Sequence, residues 1–226
     1  MISAVAEMER AASGRFKPSG SDYNGPDGMI YCGLCGTRKT CRVNIMGRER
    51  VVFCPCECRN AAYEAEQKHL RDEEARRRRV AVSFPSSAYE RMTFDADDGE
   101  RPEASAAVRE FCETFDRRSR TGLLLWGGCG SGKTFLAACA ANALIDAGCT
   151  VCFTSVERVS TAMETDRRAL ERALNCDLLV VDDLGSERDT SYMAERAFAL
   201  IDGRYKQGRP MLVSTNIPLE TMQNET

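Results

Sequence analysis

Apolar residues follow two different rhythms along the 226-residue chain. From residue 121 onward, short unbroken apolar runs alternate with longer stretches at helical spacing. The runs are Leu123-Leu124-Leu125-Trp126, the segment 150–154, Leu178-Leu179-Val180-Val181 and Met211-Leu212-Val213. Unbroken apolarity over four or five residues is expected of strands covered on both faces. Between the runs, residues 135–147, 157–174 and 191–206 read as helices. Residues 102–119 read as another, with Ala107, Val108, Phe111 and Phe115 on one side. This alternation of strand and helix predicts a mostly parallel sheet in an α/β layer fold.

The first hundred residues differ. Residues 1–28 are polar and rich in Gly, Ser, Pro and Asp, which reads as a disordered lead-in. Alternating residues at 42–45 and 50–53 flank Met46-Gly47, the pattern of a β-hairpin. Residues 59–82 lack Gly and Pro and are rich in Ala, Glu, Gln, Lys and Arg, which predicts a helix. Pro85 stops it. The expected organisation is a lead-in at 1–28, a cysteine-rich module at 29–60, a helix at 61–82, a linker at 83–101 and an α/β domain at 102–226. The linker carries Phe84, Tyr89, Met92 and Phe94.

Composition narrows the setting. The chain has 12 cysteines, and residues 1–15 lack the basic start and apolar core of a secretory signal. The expectation is a reducing, cytoplasmic setting with thiols that bind metal or stay free, rather than a disulfide framework. No apolar run is long enough to cross a bilayer, so no membrane partner is expected. The first 94 residues carry 16 Lys/Arg against 12 Asp/Glu, and the remainder 15 against 22. A basic N-terminal part suggests an anionic partner there, with ordinary solvated charge as the alternative. Arg76-Arg77-Arg78-Arg79 could contact nucleic-acid phosphates or end a helix favourably in solvent. His69, the single histidine, reads as a surface residue.

Cys32-Gly-Leu-Cys35 precedes the predicted hairpin, and Cys54-Pro-Cys56-Glu-Cys58 follows it. Two short cysteine groups at either end of a hairpin resemble a zinc ribbon, because tetrahedral Zn2+ takes four thiolates. Cys32 and Cys35 supply one pair. Two of Cys54, Cys56 and Cys58 supply the other, and Cys41 is a further candidate. A module this small lacks its own core, so the metal would supply much of its folding free energy. Uncoordinated thiols are the alternative. A redox pair lacks the surrounding βαβ pattern.

The stretch Gly127-Gly128-Cys129-Gly130-Ser131-Gly132-Lys133-Thr134-Phe135 sits between a predicted strand and a predicted helix. That context makes G-x-x-x-x-G-K-[ST] a phosphate loop. Glycines let backbone N–H groups converge on a phosphate, and the helix N-terminus adds positive potential. Lys133 would reach the β- and γ-phosphates, and Thr134 would offer Mg2+ a hydroxyl. Ligands in parallel sheets gather at the carboxyl ends of strands. Two further polar clusters fall at such ends, Asp182-Asp183 and Ser214-Thr215-Asn216. Asp182 is expected to hold the Mg2+ shell, Asp183 to orient or deprotonate the attacking water, and Asn216 to position that water or sense the γ-phosphate.

Residues 122–138, Cys152-Phe-Thr-Ser-Val, Leu178-Leu-Val-Val-Asp-Asp-Leu-Gly, Ile201-Asp-Gly-Arg-Tyr205 and Leu212-Val-Ser-Thr-Asn-Ile-Pro together resemble the DnaC-type helicase loaders and the related IstB transposition ATPases of the AAA+ class. The resemblance covers residues 85–226. It implies a weak ATPase with ATP and Mg2+ as cofactors, Asp182 and Asp183 as the Walker B pair, Asn216 as sensor 1, and Phe94 near the adenine. The cysteine module followed by a helix resembles the helicase-engaging domain of phage and Gram-positive loaders, with Zn2+ as a third cofactor. The implied partners are a DnaB-type hexameric helicase and single-stranded DNA, with ATP-dependent self-association as a further expectation. The implied sheet order is 5-1-4-3-2. The family continues past sensor 1 with a fifth strand, an arginine finger and a lid, so relative to it this sequence reads as C-terminally truncated. Asp183 stands where the wider class commonly has Glu. The alternatives are an IstB-like transposition helper and a zinc adaptor that binds nucleotide without significant hydrolysis.

Overall fold

A computed structural model describes residues 20–185 and 191–224. The chain divides into two compact units, residues 1–73 and 74–226, with the division inside one long helix. The expected lead-in lies outside the described residues up to residue 19. Its remainder is structured, because Tyr23–Asn24 (β1) pairs antiparallel with Ile30–Tyr31 (β2). Tyr23 stacks on Tyr31 with ring centroids 5.7 Å apart. Arg38 donates to both the Tyr31 hydroxyl and Asp27, and Lys39 pairs with a nearly buried Asp22 at 2.7 Å. These pairings hold a segment that composition alone leaves unstructured.

Thr40–Ile45 (β3) and Arg48–Phe53 (β4) form the expected hairpin. Met46 and Gly47 both have positive φ, 54° and 77°, as a two-residue type I′ turn requires. The helix α1 runs Glu57–Ser83. Most of it is exposed and polar, while Val80 and Ser83 in its last turn are buried.

In the second unit, Leu123–Trp126 (β5), Val151–Thr154 (β6), Leu178–Leu184 (β7) and Met211–Thr215 (β8) form one parallel sheet in the order β5-β8-β7-β6. This reproduces the 1-4-3-2 part of the implied order. The helices are Pro102–Glu113 (α2), Lys133–Asp146 (α3), Val156–Thr165 (α4), Arg167–Asn175 (α5), Ser191–Gln207 (α6) and Leu219–Asn224 (α7).

Strand β7 shows why its apolar run is unbroken. Leu178 and Val180 face a core shared with α2 and α3, while Leu179 and Val181 face a second core shared with α4, α5 and α6. Strand β5 pairs only with β8 among the described residues, and Trp126 is 53% exposed. Arg204 on α6 is fully buried. Its guanidinium donates to the carbonyls of Leu174, Cys176, Asp177 and Pro210, tying three chain segments together at the start of the strands.

Three expectations are corrected. Residues 157–174 are two helices, because the backbone breaks at Asp166 (φ −141°, ψ 87°). The Asp166 carboxylate accepts from the N–H groups of Arg168 and Ala169 and caps the second helix. The helix predicted over 102–119 ends at Glu113. The linker is not a tether, since Phe84, Tyr89, Met92 and Phe94 pack on the core and Phe84 and Tyr89 both meet the Phe153 ring.

Candidate nucleotide site and cysteine cluster

Strand β5 runs into the loop 127–132, and α3 begins at Lys133. Gly130 (φ 75°) and Gly132 (φ 80°) adopt the left-handed backbone that side chains disfavour, so the loop can curl back over the helix start. The Lys133 ammonium donates to the carbonyls of Gly127 and Gly128, each at 2.8 Å, and to the Ser131 hydroxyl at 3.2 Å. It therefore lies across the loop. Cys129 is exposed, while Phe135 packs on the core beneath α3.

The Thr134 hydroxyl donates to Asp182 Oδ1 at 3.0 Å. Ser214 on β8 donates to the same oxygen at 2.6 Å. Asp182 is 9% exposed and Ser214 1%. The period of two along the strands explains the convergence. Leu178, Val180 and Asp182 share one face of β7, and Leu212 and Ser214 share the same face of β8, beneath α3.

The register then slips. Val181 pairs with Val213 but Leu184 with Thr215, so β7 carries one extra residue. Asp183 sits in this bulge with φ 59°, a strained backbone for a residue with a side chain. The Asp183 N–H donates to Ser214 Oγ at 2.8 Å, and Asn216 Nδ2 donates to Asp183 Oδ1 at 3.0 Å. The structure thus brings Thr134, Asp182, Asp183 and Asn216 to one end of the sheet beside the loop. Ser214 is the member to which sequence reading gave no role. Its side in the strand period was the available signal.

A pocket of about 190 Å³ adjoins the loop, lined by Gly130, Ser131, Phe135, Asp97, Asp98 and Arg101 among others. Phe94 does not line it. Its ring packs under the Arg109 guanidinium, 4.3 Å from the centroid. A larger cavity of about 610 Å³ lies along β6, α4 and α5, and none of the strand-end carboxylates lines it. Those carboxylates do not line the smaller pocket either; what sets it apart is its contact with the loop through Gly130, Ser131 and Gly132.

In the first unit, the sulfurs of Cys32, Cys35, Cys56 and Cys58 lie within 4.8 Å of one another. Cys32 and Cys58 are 3.7 Å apart and Cys56 and Cys58 3.3 Å. Four thiolates around Zn2+ at about 2.3 Å would sit about 3.8 Å apart, so the donor set fits that ion. Cys54 is not in the cluster, and its thiol turns to the Arg38 carbonyl at 3.7 Å. Cys41 is not in it either. The Thr37 hydroxyl beside Cys35 lowers that thiol to about 6, and the N–H groups of Cys35 and Leu34 lower Cys32. Crowding by Cys56, Cys35 and Cys32 raises Cys58 to about 12, as expected when one of several close thiols keeps a proton.

The arginine run is partly engaged. Arg76 pairs with Asp146 of α3, and Arg78 with Glu74 one turn earlier. His69 is exposed and faces Glu73.

A parallel sheet with a phosphate loop after the strand at one end of the described order, and carboxylates at the end of the third strand along, defines a P-loop module of the AAA+ kind. Residues 63–225 match the model of the IstB-like ATP binding protein family, and the chain belongs to that family. It is 28% identical over 127 residues to the replicative helicase loader DnaC of Escherichia coli K12, a match covering 53% of this chain and 51% of that protein. It is 33% identical over 125 residues to the phage-like element PBSX protein XkdC of Bacillus subtilis 168, covering 50% and 46%. The chain thus spans about half the length of the curated relatives it matches. Among solved structures, the DnaC helicase loader superposes with a TM-score of 0.52 at 24% identity, over 62% of this chain and 87% of that one. DnaI superposes with 0.55 at 19% identity, over 65% and 82%. These superpositions establish the fold. Among the described residues no helix is long and apolar enough to cross a membrane.

Proposed function

We propose that this chain is an ATP-driven replication accessory protein that engages a hexameric DnaB-type helicase and delivers it to single-stranded DNA. The observation that carries the reading is the convergence of Lys133, Thr134, Asp182, Asp183 and Asn216 at one end of the sheet. Loop amides 127–132 and Lys133 bind the nucleotide phosphates. Thr134 and Asp182 offer hard oxygen donors 3.0 Å apart, the chemistry Mg2+ prefers. Mg2+, when bound with ATP, neutralises phosphate charge. Asp183 is the general base or water-orienting group, and Asn216 fixes its direction. Cys32, Cys35, Cys56 and Cys58 hold zinc and shape the helicase-facing module.

The relative named a replicative helicase loader supports the replication role over the transposition role. The test is capture of a DnaB-type hexamer by the immobilised chain, with and without ATP and a single-stranded oligonucleotide. The reading predicts capture that responds to ATP, a response lost in Lys133→Ala. Capture indifferent to ATP and to Lys133 would instead mark an adaptor. Retention of duplex DNA without the helicase would mark a transposition helper.

A further inference from the structure

We propose that Ser214 is the positioning residue of the Mg2+ site, holding Asp182 and Asp183 in their working directions. The inference rests on the nucleotide reading above. Among the described residues, Ser214 is the side chain whose hydroxyl bonds both acidic residues. Its hydroxyl donates to Asp182 Oδ1 at 2.6 Å and accepts from the Asp183 N–H at 2.8 Å. It does so at 1% exposure, where water cannot replace it.

The bulge explains why such a group is needed. The extra residue shifts the β7–β8 register between Val181 and Leu184, and the Asp183 N–H falls within that shift. Ser214 Oγ takes over as acceptor for that N–H and so steadies a residue held at φ 59°. The same hydroxyl spends its proton on Asp182 Oδ1, which also accepts from Thr134. Among the described residues no donor reaches Asp182 Oδ2. The carboxylate is therefore fixed through one oxygen and presents the other. Without Ser214, Asp182 keeps only the Thr134 tether among the described residues, and the Asp183 N–H loses its bond to Ser214 Oγ. An outer partner of this kind typically sets metal affinity or activity by about ten- to a hundredfold.

The experiment is titration of a fluorescent ATP analogue into the full chain, with Mg2+ and with EDTA. The variants are Ser214→Ala, Ser214→Thr, Ser214→Cys and Lys133→Ala. The expectation is that Ser214→Ala keeps the metal-free affinity of wild type. The Mg2+ concentration needed for half of the Mg2+-dependent gain should rise roughly tenfold or more. Ser214→Thr, which keeps the hydroxyl, should return it towards wild type. A merely structural role would weaken binding equally with and without Mg2+. An unchanged Mg2+ dependence in Ser214→Ala, with Lys133→Ala abolishing binding, overturns the proposal and leaves the nucleotide reading standing. Binding that survives Lys133→Ala undamaged overturns the nucleotide reading and the proposal with it. If Ser214→Ala fails to fold, Ser214→Cys carries the test, since it keeps the volume but offers only a weak donor. A wild-type Mg2+ requirement in that variant would then overturn the proposal.

Discussion

The two units of this chain are held together by different physics. Residues 74–226 have two apolar cores, one on each face of a four-stranded sheet, and Leu178, Leu179, Val180 and Val181 are all fully buried. Among its described residues, the first unit buries little that is apolar beyond Met29 and two of its own clustered cysteines, Cys32 and Cys56. It relies on four converging sulfurs, a two-residue turn and a few polar pairings. One unit is stabilised by area removed from water, the other by directed bonds to a few atoms. The α/β unit should tolerate many small losses, and the cysteine unit should fail when one ligand is lost.

Removing the zinc proposed for the cysteine cluster should break the comparison most sharply. A strong chelator should abolish hydrogen-exchange protection across residues 29–58 while protection of β7 and β8 persists. Loss of protection in both together would mean the units are not independent. Leu179→Ala tests the other side. Emptying that fully buried position should cost about 2–5 kcal/mol in denaturant unfolding of the second unit, with the zinc-to-protein ratio unchanged. Asp166→Ala removes a helix cap and should cost about 1 kcal/mol by the same measurement. The smallest effect belongs to Cys54→Ser, which should leave zinc stoichiometry at wild-type level, whereas Cys56→Ser should not. A fall in bound zinc for Cys54→Ser would show that the ligand set differs from the cluster described.

The sheet, and the gathering of the candidate site residues at its end, were legible in the sequence because each rests on a local rule. The apolar runs gave the strands, and G-x-x-x-x-G-K-T between a strand and a helix gave the loop. The strand-end position marked Asp182, Asp183 and Asn216. What was not legible depends on register or on distant partners. The bulge at Asp183 is a mismatch between β7 and β8, which neither strand encodes alone. Cys54, Cys56 and Cys58 look equivalent in spacing, and only the path after β4 turns Cys54 away. The helix break at Asp166 carried a readable signal, a capping residue inside an otherwise helical pattern, outweighed by the long periodic stretch around it. Phe84 and Tyr89 looked like linker residues because their partner, Phe153, is more than sixty positions away.

The measurement that tests the central claim most directly is ATP turnover by the purified chain, alone and with single-stranded DNA and a DnaB-type helicase. The account predicts turnover that these partners stimulate and that Lys133→Ala abolishes. Absence of turnover under every one of these conditions, or turnover indifferent to Lys133, would contradict it.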